Sequence, residues 1–266
     1  MKRIISSISA LFATCAIAWA LQGLDLSSSN TGITGLGTGV LTALNNAVNT
    51  TGGPVTFRAS TVCEINSTSA VTCNGGGSQA NNGTYTPTAG ATRLEIEGVG
   101  AGGGGAGSGS TPSAAGDGGN TTFSTVTANG GTKGRSDGGI CTGGTVSGAD
   151  FSLTGGLGGT AVGISNAYGS PGGNSKFGGA GYGGPSNAAG GAAATNSGSG
   201  GGGAGENTTA LSGGGGCAGG WFFKIINSPS GTYSYTTGAL GAAGGAGTGG
   251  QAGGSGAAGK IIVKEY

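Results

Sequence analysis

Five cysteines and nine carboxylates are the side chains of this 266-residue chain best suited to nucleophilic, redox or metal chemistry, and histidine is absent. Without an imidazole there is no Ser-His-Asp or Cys-His nucleophile system, no His-ligated zinc or iron, and no side chain that titrates unperturbed near neutrality. Cys63 and Cys73 lie on two β-prone runs, Thr61-Val62-Cys63-Glu64-Ile65 and Ala70-Val71-Thr72-Cys73, joined by Asn66-Ser67-Thr68-Ser69. A hairpin would bring their sulfurs together across the ladder, as a disulfide or as two reduced thiols in an apolar cluster. No second pair stands at metal-ligand spacing. Asp117, Asp137 and Asp150 are isolated, which excludes the G-G-x-G-x-D calcium repeat. Glu95 and Glu97 share one strand face and read as a solvated edge rather than an acid/base pair. No catalytic residue, metal or cofactor follows from this inventory, and the chain reads as non-enzymatic.

Two glycine motifs invite a phosphate reading and fail. Gly98-Val99-Gly100-Ala101-Gly102-Gly103 satisfies G-x-G-x-x-G, but at about one glycine in three such a match arises by chance, and the helix that must follow cannot form in polyglycine. Gly131-Thr132-Lys133-Gly134 lacks the spacing of a phosphate loop. Ten basic against nine acidic residues leave a net charge of +1, which gives no electrostatic footprint for nucleic acid. Asn-x-Ser/Thr sequons at Asn49, Asn66, Asn82, Asn120 and Asn207 follow from composition.

The elements that must position anything are set by glycine, which accounts for 70 residues, 58 of them in 98–266. Only 6 prolines and no Gly-X-Y period exclude collagen. Met1-Lys2-Arg3 and the apolar run Ile4 to Leu21, with Ala18-Trp19-Ala20 as a cleavage site, read as a secretory signal or as a retained hydrophobic helix. Its removal would leave Cys63, Cys73, Cys141 and Cys217, an even number that suits an oxidising compartment. Val40, Leu41, Leu44, Ala47 and Val48 stand at helical spacing and predict a short helix over 38–48. The organisation expected is therefore a signal-like segment 1–20, an attachment region 21–57 with this helix and extended chain, a small hairpin region 58–82 and a glycine-rich domain 83–266.

Two runs carry the strongest strand signals, Arg93 to Val99 and Lys260 to Tyr266. Glu95 and Glu97 on the first, facing Lys260 and Lys264 on the second, favour an antiparallel pair that closes the glycine-rich stretch like a clasp. Ordering a glycine costs roughly 0.5–1 kcal/mol more than ordering an alanine, so the stretch between needs a dense compensating interaction. Backbone pairing between closely approaching three-fold extended chains would supply it. The fold class expected is mainly β and irregular: packed polyglycine-II-like rods along runs such as 98–109, 155–163, 178–184, 190–205, 213–220 and 238–256, with aromatic inserts as loops at the rod ends. Among the inserts, Tyr168, Lys176, Phe177 and Tyr182, and Trp221, Phe222, Phe223, Tyr233 and Tyr235, are the candidate contact residues, because aromatic side chains supply contact area with little entropy to lose.

The succession Thr84-Tyr85-Thr86-Pro87 through Arg93-Leu94-Glu95-Ile96-Glu97-Gly98 to Gly105, then glycine-rich blocks, then Gly259-Lys260-Ile261-Ile262-Val263-Lys264-Glu265-Tyr266, resembles the glycine-rich domains of tailed-bacteriophage tail fibres and tail-tip adhesins. The resemblance covers about 83–266, and Gly32 to Leu44 is similar to connector segments of the same class. It implies a virion component in which polyglycine-II rods carry variable loops to a bacterial surface glycan or outer-membrane protein. It also implies other tail proteins as partners and a homo-oligomer, commonly a trimer, with membrane contact only through the N-terminal segment where that is retained. An exported bacterial glycine-rich surface adhesin is the alternative that the signal-like N-terminus favours.

Overall fold

Alternation of apolar and polar residues builds the strands, and interruption of that alternation by glycine ends them. The computed structural model describes residues 61–66, 71–74, 80–81, 83–163, 166–207 and 211–266. The segments 1–20 and 21–57, with the helix expected over 38–48, lie outside them. No helix occurs among the described residues, which form a mainly β structure. One six-stranded sheet has the order β2 (Val71–Asn74), β1 (Thr61–Ile65), β12 (Lys260–Glu265), β5 (Arg93–Val99), β10 (Trp221–Asn227) and β9 (Phe151–Leu153). The other has the order β3 (Ala80–Asn81), β4 (Thr84–Tyr85), β11 (Tyr233–Thr236), β6 (Thr121–Phe123), β7 (Val126–Ala128) and β8 (Val146–Ser147). Cys63, Ile65, Leu94, Ile96, Phe222, Ile261 and Val263 from the first sheet meet Tyr85, Phe123, Val126, Ala128 and Tyr235 from the second in one buried cluster. The sheets therefore pack face to face through the inward half of each alternation.

The clasp between β5 and β12 forms antiparallel, with Glu95 opposite Lys264 and Glu97 opposite Ile262. Its ion pairs differ from the expected ones. Lys260 Nζ reaches Glu64 at 2.6 Å, Glu97 takes Lys176 at 3.2 Å, and Glu95 takes Arg93 at 2.8 Å. The Lys260 contact holds the Glu64 carboxyl below its usual range. Because β5 lies between β12 and β10, Glu95 and Glu97 stand on the outer face of an interior strand rather than on an edge. β1 pairs with β12 as well as with β2, so the β1–β2 hairpin extends the same sheet. Cys63 and Cys73 are directly opposite across that hairpin and form a disulfide with an S–S distance of 2.00 Å. The C-terminal strand is pinned from inside, where the buried Glu265 carboxylate accepts from Tyr85 Oη at 2.9 Å and from the Thr88 amide at 3.1 Å. Burial and the neighbouring carboxylate push the Tyr85 phenol well above its ordinary pKa.

Past Val99 the ladder changes period. Gly100, Gly103 and Ala106 donate their N–H groups to the carbonyls of Gly220, Cys217 and Gly214, continuing the β5–β10 pairing in steps of three. Ala101 and Gly104 donate to Gly119 and Gly116 on a second side; Gly102, Gly105 and Ser108 donate to Ala257, Gly254 and Gln251 on a third. All eight bonds are 2.8–3.0 Å long. A strand offers hydrogen bonds on two sides, whereas this backbone offers them on three in rotation. Segment 198–206 repeats the arrangement: Gly200 and Gly203 donate to Gly173 and Ser170, Gly201 and Ala204 to Gly103 and Ala106, Gly202 and Gly205 to Gly191 and Ala188. Segments 100–108, 198–206 and 213–220 bond to one another and are buried along nearly their whole length, with the other glycine-rich segments around them.

The segments divide differently from the runs read in the sequence. The run 190–205 turns back at 195–197, where Asn196 and Gly198 take left-handed φ values of 51° and 72°. The run 238–256 turns at Thr248 and Gly249, the latter at φ 73°. A second disulfide, Cys141–Cys217 with an S–S distance of 2.02 Å, ties the inner segment 213–220 to the outer segment 141–145. The amide of Gly158 lies against both of its sulfurs at 3.3 and 3.4 Å.

Glycine is required where backbones close on one another. A Cβ on Gly202 would overlap the carbonyl oxygen of Tyr182, a main-chain atom that cannot swing away, while a Cβ on Gly179 meets nothing within 4 Å. Gly202→Ala should therefore destabilise by ~1–3 kcal/mol or more. Gly179→Ala should be neutral or stabilising by ~0.4–1 kcal/mol through the unfolded chain. Urea unfolding of both variants checks this, and equal losses would contradict close backbone packing as the source of the requirement.

Candidate functional site

The chain passes repeatedly between two ends. Each strand of the sandwich that meets a glycine-rich segment runs straight into it, as β5 does into 100–108 and β7 into 129–135, so the sheets mark one end, beside which the chain also turns at 174–177 and 195–197. Turns at 109–112, 136–140, 185–188 and 247–250 make up the far end, where Thr111, Asn187 and Gly249 adopt positive φ. These turns are short and polar, and the strain of left-handed backbone is carried by Gly, Asn and Thr there.

The candidate aromatic residues separate into four groups. Phe222 and Tyr235 are 0% and 1% exposed and belong to the core between the sheets, so neither presents a contact surface. The physical reason is strand alternation: in Trp221-Phe222-Phe223 the middle side chain points inward, opposite Gly98 of β5. Tyr233 is half-buried, stacked on Phe123 with ring centroids 5.9 Å apart. Trp221, Phe223, Lys176 and Phe177 lie at the sheet end. Lys176 Nζ sits 3.8 Å from the Trp221 ring centroid and pairs with Glu97, and Lys260 Nζ lies 5.8 Å from the Phe177 ring centroid. Residues 221–227 and 233–236 are thus strands of the sandwich, and the candidate side chains on them are not at segment-end loops. Tyr168 and Tyr182 alone stand fully out, 66% and 67% exposed, on adjacent outer segments joined by Gly169 N to Gly184 O and Gly172 N to Gly181 O. Tyr168 lies at the far-end level and Tyr182 midway along.

At the far end a cleft of about 210 Å³ opens between 113–115 and 133–137, lined by Ala106, Ser113, Ala114, Ala115 and the run Lys133-Gly134-Arg135-Ser136-Asp137. Asp137 accepts from Arg135 Nε at 2.8 Å and from Arg135 Nη2, and from the Gly139 amide at 3.0 Å. The guanidinium first, then the amide, holds the Asp137 carboxyl far below its ordinary pKa, and the same pairing raises that of Arg135. Lys133 forms no ion pair among the described residues. Sequence reasoning missed this site because Lys133, Arg135 and Asp137 look like isolated charges. Gly138, with φ 79°, marks the turn beside them. Among the described residues no group of His, Cys, Asp and Glu could hold a metal ion.

A second surface lies at the sheet end. Phe151 and Leu153 of the edge strand β9 are exposed, and Phe151 packs against Phe223 with centroids 6.3 Å apart. Asp150 locks this edge: its carboxylate accepts from the Ile225 amide at 2.7 Å and pairs with Lys224 Nζ at 2.8 Å. No model of a protein family, no curated protein and no solved structure matches the chain.

The Ile225 amide and Lys224 lower the pKa of Asp150. A carboxyl with a folded pKa below its unfolded value stabilises above the unfolded range near pH 4 and loses that contribution as pH falls through the folded value. Asp150→Asn should therefore cost ~0.5–1 kcal/mol at pH 7. The variant and the parent should converge as pH falls below the folded pKa, which lies under the ordinary carboxylate value. Urea midpoints measured at pH 7 and below that pKa check the convergence.

Proposed function

We propose that the chain is a non-enzymatic attachment protein of a tailed-phage tail, in which glycine-rich rods in a polyglycine-II-like lattice hold the far-end turns against a receptor on a bacterial surface. The observation that carries this reading is the three-residue hydrogen-bond period, which turns the segments into straight spacers and holds the turns at 109–112, 136–140, 185–188 and 247–250 away from the sandwich. A scaffold whose side chains are mostly hydrogen has little with which to do chemistry, but it tolerates any turn that fits between two parallel segments. Loops on a rigid frame lose little entropy on binding. The receptor classes that fit are a surface glycan and an outer-membrane protein. The sandwich end, continuous with β1 and the chain before it, would face the rest of the tail, with trimerisation and other tail proteins as its partners.

Labelled full-length protein should bind some strains of a bacterial panel saturably. The combined variant with Tyr168→Ala and 136–140 replaced by a Gly-Asn turn should lose most of that binding while keeping its unfolding midpoint. Immunogold labelling should place the protein at tail tips of its parent particle. Binding that survives the far-end variant, or labelling away from any tail, would contradict the reading.

A second reading, an exported bacterial surface adhesin, is favoured by the two disulfides, which suit an oxidising compartment. Mass spectrometry of the mature chain decides between the compartments. Cleavage after Ala20 is expected for the exported adhesin, and an intact Met1 or Lys2 start for the virion protein.

A further inference from the structure

At the far-end cleft two neighbouring rows of the backbone lattice stop one rung short. Segment 113–120 bonds to 100–108 through Ala101 N to Gly119 O and Gly104 N to Gly116 O, and to 129–135 through Gly118 N to Gly131 O. The next rung of that second ladder, three residues on, would join Ala115 N to Gly134 O. It is not made, and neither group has another partner among the described residues. The segment leans instead toward 242–245, where the Gly245 amide donates to Ser113 Oγ at 2.9 Å. A parallel row stops at the same level. Asn120 Oδ1 accepts from the Gly130 amide at 3.0 Å and Asp117 Oδ1 from the Lys133 amide at 2.8 Å. The third position of that row is Ala114, which has no acceptor to offer the Ser136 amide, and that amide is unbonded among the described residues. Buried or half-buried main-chain groups without partners are uncommon in a folded protein, and an open donor–acceptor set in a cleft is what a polar ligand replaces.

We infer that this cleft binds a single pyranose ring of a bacterial surface glycan; the inference rests on the far end being the receptor-facing end. Three features select that class. Open donors, the amides of Ala115 and Ser136, stand beside an open acceptor, the Gly134 carbonyl, and a sugar hydroxyl both donates and accepts. Alanine methyls at 106, 114 and 115 line the cleft beside these polar groups and suit the apolar face of a ring. Of the charges lining the cleft, Arg135 is neutralised by Asp137 and Lys133 stays available, so inorganic phosphate is the competitor that the test has to separate from a sugar. At about 210 Å³ the cleft is smaller than the ~300–1,000 Å³ of ordinary small-molecule pockets, which leaves room for one ring rather than a nucleotide.

The test is an amide-resolved NMR titration of the full chain with the methyl α-pyranosides of glucose, galactose, mannose and N-acetylglucosamine, and separately with inorganic phosphate. At least one glycoside should shift the Ala115 and Ser136 amides saturably. Lys133→Ala should weaken that binding about tenfold, the loss of one charge-assisted hydrogen bond. Ala114→Asp places an acceptor where the row lacks one, and should abolish the shift without lowering the unfolding midpoint, which separates an occupied cleft from an unfolded one. The inference fails if no glycoside shifts these amides up to its solubility limit, if Ala114→Asp leaves the shift intact, or if phosphate reproduces it. Cell binding scored in parallel keeps the two readings apart. Binding to cells with no glycoside shift overturns the cleft alone, and a glycoside shift with no binding to any strain overturns attachment alone.

Discussion

The structure depends on the main-chain hydrogen bond repeated every third residue. A conventional domain of this length spends its side chains on an apolar core; here the apolar cluster is confined to the two short sheets at one end. Beyond them, burial is burial of backbone, and each inner segment satisfies its amides on three sides and its carbonyls from others. That geometry explains the glycine content directly, since a methyl group at a site such as Gly202 occupies space already held by a neighbouring carbonyl. It also explains how the entropy lost by ordering so many glycines is offset, by dense pairing of groups that would be costly to bury unpaired.

The sandwich has a different task, which is to set register. Its two-residue alternation fixes which strand lies beside which, and the three-residue ladders inherit those neighbours: the pairing of β5 with β10 continues directly into that of 100–106 with 214–220. A slip of one residue in a glycine segment changes little by itself, because successive residues are alike. A slip in β5 or β10 would turn Leu94, Ile96 and Phe222 to the outside. The Cys141–Cys217 bridge supplies a second register mark within the lattice, where side chains are otherwise too small to specify one.

Side-chain content separates along the same axis. The sandwich end carries the large aromatic residues, most of them engaged in packing, in cation–π contacts or in ion pairs. The far end carries short turns and the cleft between 113–115 and 133–137. A rigid scaffold that ends in turns is what the proposed attachment role draws on, because turn residues can vary without disturbing the ladders that hold them.

Much of this was legible in the chain. The strands 93–99 and 260–265, their antiparallel pairing and the Cys63–Cys73 hairpin follow from alternation and spacing, which are local properties of sequence. What only the tertiary structure decided is neighbourhood. Nothing in a run of glycines says which other run it touches, so the turns at 195–197 and 248–249, the bridge across 76 positions from Cys141 to Cys217, and the cleft beside Lys133 were invisible. Nor could composition separate Phe222 and Tyr235, buried in the core, from Tyr168 and Tyr182, exposed on the flank. Aromatic type marks a residue worth burying or worth presenting, and the face of the element it falls on makes the choice.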